Sequence, residues 1–212
     1  MEKINSMADE VFEELEDDIL SDKFKKGDTL SENKLSAVYG VSRTPVREAL
    51  KRLETENLIE YANDKLVKVV GMTKEDILDV YDIRFKIEGM AVRKALNNVN
   101  EQYLKTLKDV LDLQAYYVLK GDADKIRKSD SDFHATIYEM IESPIYSPLL
   151  FEMHKKTQLY RKFSVQNPGR AQLATIEHKN IYEALLSKDG DRLEEAVTTH
   201  VINAKNSILN LK

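Results

Sequence analysis

The sequence predicts a mostly α protein in two parts. Residues 1–72 hold three helices and a pair of short strands, and residues 73–212 an all-helical antiparallel bundle of six to seven helices. Three observations predict this. Gly and Pro are sparse, 7 and 4 in 212 residues, and strand-like alternation is rare. Apolar residues recur at helical spacing through most of the chain. Before residue 71 the periodic stretches are short and broken by turn residues, whereas after it they are long.

The first helix covers 4–20, where Ile4, Met7, Val11, Phe12, Leu15 and Ile19 share one face. KFKKGD (23–28) reads as a turn around Gly27. Ser31 is placed to cap a short helix holding Leu35 and Val38, which Gly40 ends in a left-handed C-cap. Ser42 is placed to cap the next helix, from Arg43 to about Thr55. Pro45 falls in its first turn, where a missing N–H loses no bond. Leu58-Ile59 and Leu66–Val70 read as two strands around a turn at Asn63-Asp64. Thr73 and Asp76, spaced as a capping box, start a long helix to about Leu96. Helices follow near 100–120, 123–142, 145–164, 170–187 and 190–210. Gly121-Asp122, Ser143-Pro144, Pro168-Gly169 and Asp189-Gly190 separate them.

Composition bounds the function. The chain is 42% hydrophobic and 33% charged, as suits a soluble globular protein. No run of apolar residues is long enough to span a membrane, and MEKINSMADE has no apolar secretory segment. The absence of cysteine excludes disulfides and thiolate metal sites and makes the cytoplasm the expected location. Net charge is −5, and residues 1–70 carry 11 Lys and Arg against 16 Asp and Glu. Any affinity for nucleic acid therefore has to come from a local arrangement of charge.

VSRTPVREALKRLE (41–54) supplies one. On a helix, Val46, Ala49, Leu50 and Leu53 form a core face, while Arg43, Arg47 and Lys51 align at i, i+4 and i+8 with Arg52 beside them. Such a row suits a phosphate backbone or a major groove. It equally suits a solvated face paired with glutamates. The element order favours DNA: a helix, a helix–turn–helix, then two strands as a wing. Ser42 and Thr44 sit at the helix N-terminus, where hydroxyls and the dipole favour phosphate.

LSENKLSAVYGVSRTPVREALKRLETENLI closely resembles the DNA-binding domain of GntR-family transcriptional regulators, most specifically in SRTPVREAL and the following RLE. The resemblance implies a homodimer on a short palindromic operator in double-stranded DNA, contacted by Ser42, Arg43, Thr44 and Arg47, with Lys51 beside them. Two positions depart from the family pattern: Asn33 stands where an Arg is usual, and the wing tip reads Asn63-Asp64-Lys65 in place of a Gly. Lys65 is then the wing's candidate DNA contact.

A second constellation lies in IRKSDSDFHATIYEMI (126–141). Asp130 and His134 are i and i+4 on one helical face. The chain has four histidines, and His178 and His200 fall near the apolar stripes of later helices. One Asp with three neutral imidazoles suits a divalent transition ion better than calcium or copper(I). Each histidine taken alone also reads as a hydrogen-bonded structural residue, and His154, with no partner by spacing, is read that way. Asp132 reads as a surface carboxylate.

Residues from about 74 to 210 resemble the FCD effector domain of the FadR subfamily, in DxxFH at 130–134, in EH with the apolar-Ala-Leu pattern at 177–185, and in His200. The resemblance implies a metal held by Asp130, His134, His178 and His200, with zinc or nickel expected. Arg84, followed four residues on by Glu88, and Arg161 are the candidate partners of a small carboxylate effector. For Arg84 an intrahelical pair with Glu88 is the plain alternative, and for Arg161 surface exposure. The whole reads as a ligand-responsive transcription regulator and not an enzyme. A metal-dependent enzyme acting on a small organic acid, with Asp132 as base, and a pure metal sensor are the alternatives.

Overall fold

The computed structural model describes residues 6–63 and 66–210. The chain divides into two compact units at Thr73/Lys74.

The first unit follows the order α1 (Met7–Leu20), β1 (Thr29–Ser31), α2 (Glu32–Tyr39), α3 (Arg43–Thr55), β2 (Ile59–Asn63) and β3 (Leu66–Val69). Ser6 and Asp9 close a capping box on α1. Ser31 caps α2 by accepting from the Lys34 N–H, and Gly40 ends it at φ 67°, a conformation that suits glycine. Helices α1 and α3 bury Phe12, Leu15, Leu50 and Leu53 against each other, and Leu35 joins them from α2. Arg52 leaves the cation row. Its guanidinium lies 3.7 Å from the centre of the Phe12 ring and pairs with Asp9 at 2.6 Å, so it fastens α3 to α1.

The three strands form one antiparallel sheet in the order β1-β3-β2. The expected hairpin is present, with a register irregularity between Tyr61 and Asn63. Strand β1 was not expected. Three residues are too few to show alternation, and pairing with β3 defines it.

The second unit contains α4 (Lys74–Val92), a 3₁₀ turn (Arg93–Asn97), α5 (Glu101–Lys120), α6 (Ala123–Met140), α7 (Tyr146–Lys156), α8 (Gln158–Ser164), α9 (Arg170–Ser187) and α10 (Gly190–Leu209). That makes seven α-helices among the described residues. Asn100, Asp122 and Asp189 cap α5, α6 and α10 through their side chains. Helix α4 packs closely on α10: a Cβ built on Gly89 would lie 2.7 Å from Thr198 Oγ1.

Two expected helices are corrected. The one drawn from Thr73 to Leu96 is α only to Val92, then tightens to 3₁₀ before Asn98 donates to the Met140 carbonyl at 2.8 Å. The one drawn over 145–164 breaks into α7 and α8 at Thr157. Both the hydroxyl and the N–H of Thr157 donate to the His154 carbonyl, at 2.7 and 3.2 Å, which closes a turn tighter than α.

Candidate functional site

Ser42, Arg43, Thr44, Arg47 and Lys51 are all exposed, at the N-cap or along α3. Ser42 occupies the N-cap position without a side-chain capping bond, contrary to the expected cap, so its hydroxyl is not spent on the helix. Arg47 is fixed in the winged unit. Its Nε and Nη2 donate to the two carboxylate oxygens of Glu32 at 2.7 and 2.8 Å, a bidentate pair between α3 and α2. That hydrogen bond holds the Glu32 carboxyl below its ordinary range. Lys65, the expected wing contact, lies outside the described residues.

The second unit brings three of the four expected metal ligands together. His134 on α6, His178 on α9 and His200 on α10 are buried, and each offers a ring nitrogen within 4.8 Å of the others. His134 Nε2 is 3.2 Å from His200 Nε2. Behind the rings stand acceptors. Gln114 Oε1 is 2.9 Å from His178 Nδ1, and Glu177 Oε2 is 2.8 Å from His200 Nδ1. These acceptors place a proton on each Nδ1 and leave each Nε2 lone pair facing the cluster. Arg170 and Asn203 hold Glu177 in turn, at 3.0 and 2.8 Å.

Asp130 stands to one side of this trio. Its Oδ1 is 3.6 Å from His178 Nε2, while its Oδ2 accepts from Arg161 and lies 3.6 Å from His154 Nε2. Burial opposes its ionisation, but the Arg161 guanidinium, reinforced by His178 and His154, holds the carboxyl well below the usual range. Burial drives the imidazoles the other way. His178 is pushed down to about 3, with His200 adding to the effect. Burial likewise takes His134 and His154 well below 6.5, helped by His154 and by Arg161 respectively. Neutral imidazoles beside an ionised carboxylate are the protonation states a divalent ion requires.

The residues fit such an ion. His178 Nε2 is buried with no hydrogen-bond partner. The two Nε2 atoms at 3.2 Å can share only one proton, a position a cation can take. The donor set is imidazole nitrogen and carboxylate oxygen, without thiolate, and suits a divalent transition ion better than calcium.

Arg84 is buried and forms the intrahelical pair with Glu88, at 2.7 and 3.2 Å. Tyr138 donates to the same carboxylate at 2.7 Å and lies 3.4 Å from His134 Nδ1. Arg161 is not a surface residue: its side chain is 12% exposed and ties Asp130 to Ser131. Both arginines border a cavity of about 40 Å³ that also meets Gln114, Asp130, His154 and His200. Asp132 faces out, 48% exposed and 3.5 Å from Lys128, away from any catalytic use.

The reading of His154 as a hydrogen-bonded structural histidine is corrected. Its ring centre is 4.5 Å from that of His134, it borders the cavity, and neither ring nitrogen has a partner. Its neighbours come from other helices, so spacing within α7 carries no sign of them. Gln114 left a trace. It follows Leu107 and Leu111 along the buried stripe of α5, an amide on an otherwise apolar face.

A winged unit followed by a helical unit with a buried polar cluster is the build of a bacterial transcription regulator. Comparison with known proteins agrees with this. Residues 79–203 match the FCD domain, and residues 7–69 match the bacterial regulatory proteins of the gntR family. The uncharacterised HTH-type transcriptional regulator YdhC of Bacillus subtilis is 25% identical over 190 residues, 89% of this chain and 85% of its own length. The gluconate operon transcriptional repressor of the same organism is 35% identical over 124 residues, 58% of this chain and 51% of its own. Among solved structures, McbR/YncC of Escherichia coli superposes with a TM-score of 0.84 over 97% of this chain and 98% of its own, at 24% identity, and so supports the fold. The chain belongs to the GntR family and carries an FCD domain: it is a DNA-binding transcriptional regulator and not an enzyme. Among the described residues, no helix is long and apolar enough to cross a membrane.

Proposed function

We propose that this regulator works in the cytoplasm as a homodimer whose operator affinity is set by a small carboxylate effector bound beside a divalent metal. The observation that carries the reading is the buried trio His134, His178 and His200, with His178 and His200 oriented from behind and His200, beside Asp130, lining a cavity that Arg84 and Arg161 also border. His134, His178 and His200, with Asp130, would hold the ion. When bound, it would supply a Lewis-acidic point for a carboxylate oxygen. The chain's own residues do the rest. Gln114 and Glu177 hold the imidazole tautomers of His178 and His200, Arg161 orients Asp130, and Arg84 and Arg161, each paired with a carboxylate, line the cavity. An acid bound there changes operator affinity only if it binds the two arrangements of the dimer unequally.

On the DNA side, Arg43, Arg47 and Lys51 are assigned to the duplex, with Ser42 and Thr44 on phosphate at the start of α3 and Lys65 from the wing. Exposure of the first five and the unused Ser42 hydroxyl support this.

Elemental analysis of the untagged protein tests the metal, with His178→Ala as control. About one zinc or nickel per chain, lost in the variant, is expected. Absence of metal after reconstitution with either ion refutes the metal reading and leaves the operator reading intact.

A further inference from the structure

A carboxylate from α2 reaches into the cation row of α3. Glu32 is the first residue of α2 and directly follows Ser31, which pairs with Leu66 across the β1–β3 ladder and caps α2 through the Lys34 N–H. The backbone that carries Glu32 is therefore fixed by the sheet and by the helix at once, and the first turn of a helix suits a carboxylate. The Glu32 side chain is 15% exposed, against 55% for Arg47. With Arg47, Lys51, Tyr61 and Asn63 it lines an open cleft of about 440 Å³ between α3 and β2. Beyond the Arg47 hydrogen bond that lowers its pKa, the carboxyl also feels the charge of Arg43. Glu32 thus stands among the side chains assigned to the duplex, with the opposite sign.

A guanidinium is a planar, rigid set of N–H donors with two forks. In Arg47 the fork of Nε and Nη2 is closed by the two Glu32 oxygens, at 2.7 and 2.8 Å. The outer fork, one N–H on each Nη, is left, and its two parallel donors match two oxygens of one phosphate. Glu32 therefore fixes the direction of the open fork and offsets the Arg47 charge for a phosphate that arrives from elsewhere. A duplex without the right sequence binds through the number of phosphates neutralised, whereas a fitted duplex also depends on where each contact is held. A carboxylate in the row weakens the first kind of binding and leaves the second.

We infer that Glu32 is a specificity-determining residue: by holding Arg47 in one orientation it weakens binding to unfitted DNA and so widens the margin by which the operator is preferred. It is a positioning residue, acting through Arg47 and offering DNA no donor of its own. The inference rests on the reading of α3 as the element that meets the duplex. Its size follows from one cation. Releasing Arg47 to any nearby phosphate adds about one contact to the unfitted complex, which steepens the salt slope by about 0.9 and strengthens binding roughly fivefold at about 0.15 M salt. The fitted complex, where the outer fork already meets its phosphate, gains no contact.

The test is fluorescence anisotropy of the full chain on two duplexes of equal length and composition, one selected with the wild-type chain and one scrambled, each across a salt series. Glu32→Gln keeps the side-chain length and removes the charge. The scrambled duplex is expected to bind this variant roughly fivefold tighter at about 0.15 M salt, with a slope steeper by about one, while affinity for the selected duplex stays within about twofold. Glu32→Asp keeps the charge and shortens the reach to Arg47, and is expected to lose about twofold or more of the preference for the selected duplex. An unchanged unfolding temperature shows that each variant is folded; if Glu32→Gln does not fold, Glu32→Asp decides alone. An equal gain on both duplexes, or an unaltered preference, overturns the inference. Wild-type preference in Glu32→Asp overturns it too, since charge without the fork would then suffice. The underlying reading is tested apart from this: Arg47→Ala that leaves both duplexes unaffected removes Arg47 from the DNA face, whatever Glu32 does.

Discussion

Replacing Gln114 with Met tests whether the partners behind the imidazoles tune them. Gln114 is 1% exposed, and its Oε1 lies 2.9 Å from His178 Nδ1. That contact keeps the proton on Nδ1 and Nε2 open to the cluster. Methionine matches the length and volume of glutamine and suits the apolar stripe of α5, so little packing is disturbed. The acceptor is lost. A stranded, buried N–H costs about 1–3 kcal/mol. The ring relieves this by moving the proton to Nε2, where it competes with the metal, or by turning away. Substitutions of this kind lower metal affinity by roughly 10–100-fold, equivalent to about 1.4–2.8 kcal/mol. The assay is zinc competition against a chromophoric chelator, with His178→Ala as the control that lacks the ligand. The expected result is a 10–100-fold weaker site in Gln114→Met and no site in His178→Ala. Wild-type affinity within twofold in Gln114→Met, beside a lost site in His178→Ala, would refute the claim that Gln114 orients the ring.

The other predictions concern each unit separately. Arg47→Ala should weaken binding to a duplex selected with the wild-type chain and lower the salt slope by about one. The fold should hold, because the exposed Arg47–Glu32 pair is worth only about 0–1 kcal/mol; unchanged affinity and slope would remove Arg47 from the DNA face. Gly89→Ala drives a methyl to within 2.7 Å of Thr198 Oγ1 and 3.2 Å of the Glu194 carbonyl, and should destabilise the helical unit by about 1–3 kcal/mol in urea unfolding. An equal or higher midpoint would show that α4 and α10 can part at no cost. In the metal-free protein, His178 stays neutral in the fold down to about 3, while in the unfolded chain it protonates near 6.5. Stability from this group is therefore complete above about pH 6.5 and falls as pH drops toward 3, by roughly 1 kcal/mol per unit. Urea midpoints that do not move between pH 7 and pH 5 would contradict it.

Much of the winged unit was legible because its signals are local. Ser31 and Gly40 mark helix ends through bonds to near neighbours, Pro45 marks one by its fixed φ and missing N–H, and Val46, Ala49, Leu50 and Leu53 mark the buried face of α3 by spacing alone. The short strand β1 was not legible, since its identity lies in its pairing with β3. Nor was the engagement of Arg47 and Arg52. One stands in the cationic row and the other beside it, yet one is held by Glu32 on α2 and the other by Asp9 and Phe12 on α1. The row of cations was visible, but which of them the fold keeps for itself was not.

The helical unit sharpens the distinction. His134, His178 and His200 lie on three helices, and no periodicity within any one helix relates them; only the DxxFH and EH motifs tied them together beforehand. His154 and Gln114 had no motif, and an isolated polar residue on an apolar stripe is compatible with many environments until the facing helix is known. Arg161 is a different case. It stands eleven residues after the buried Leu150, close to three full turns, so spacing along one continuous helix already sets it on the buried stripe. What spacing does not carry is the partner. Asp130 and Ser131 lie on α6, and only the packing of α8 against α6 brings the guanidinium to them. The stripe is a property of one helix, and the ion pair is a property of two.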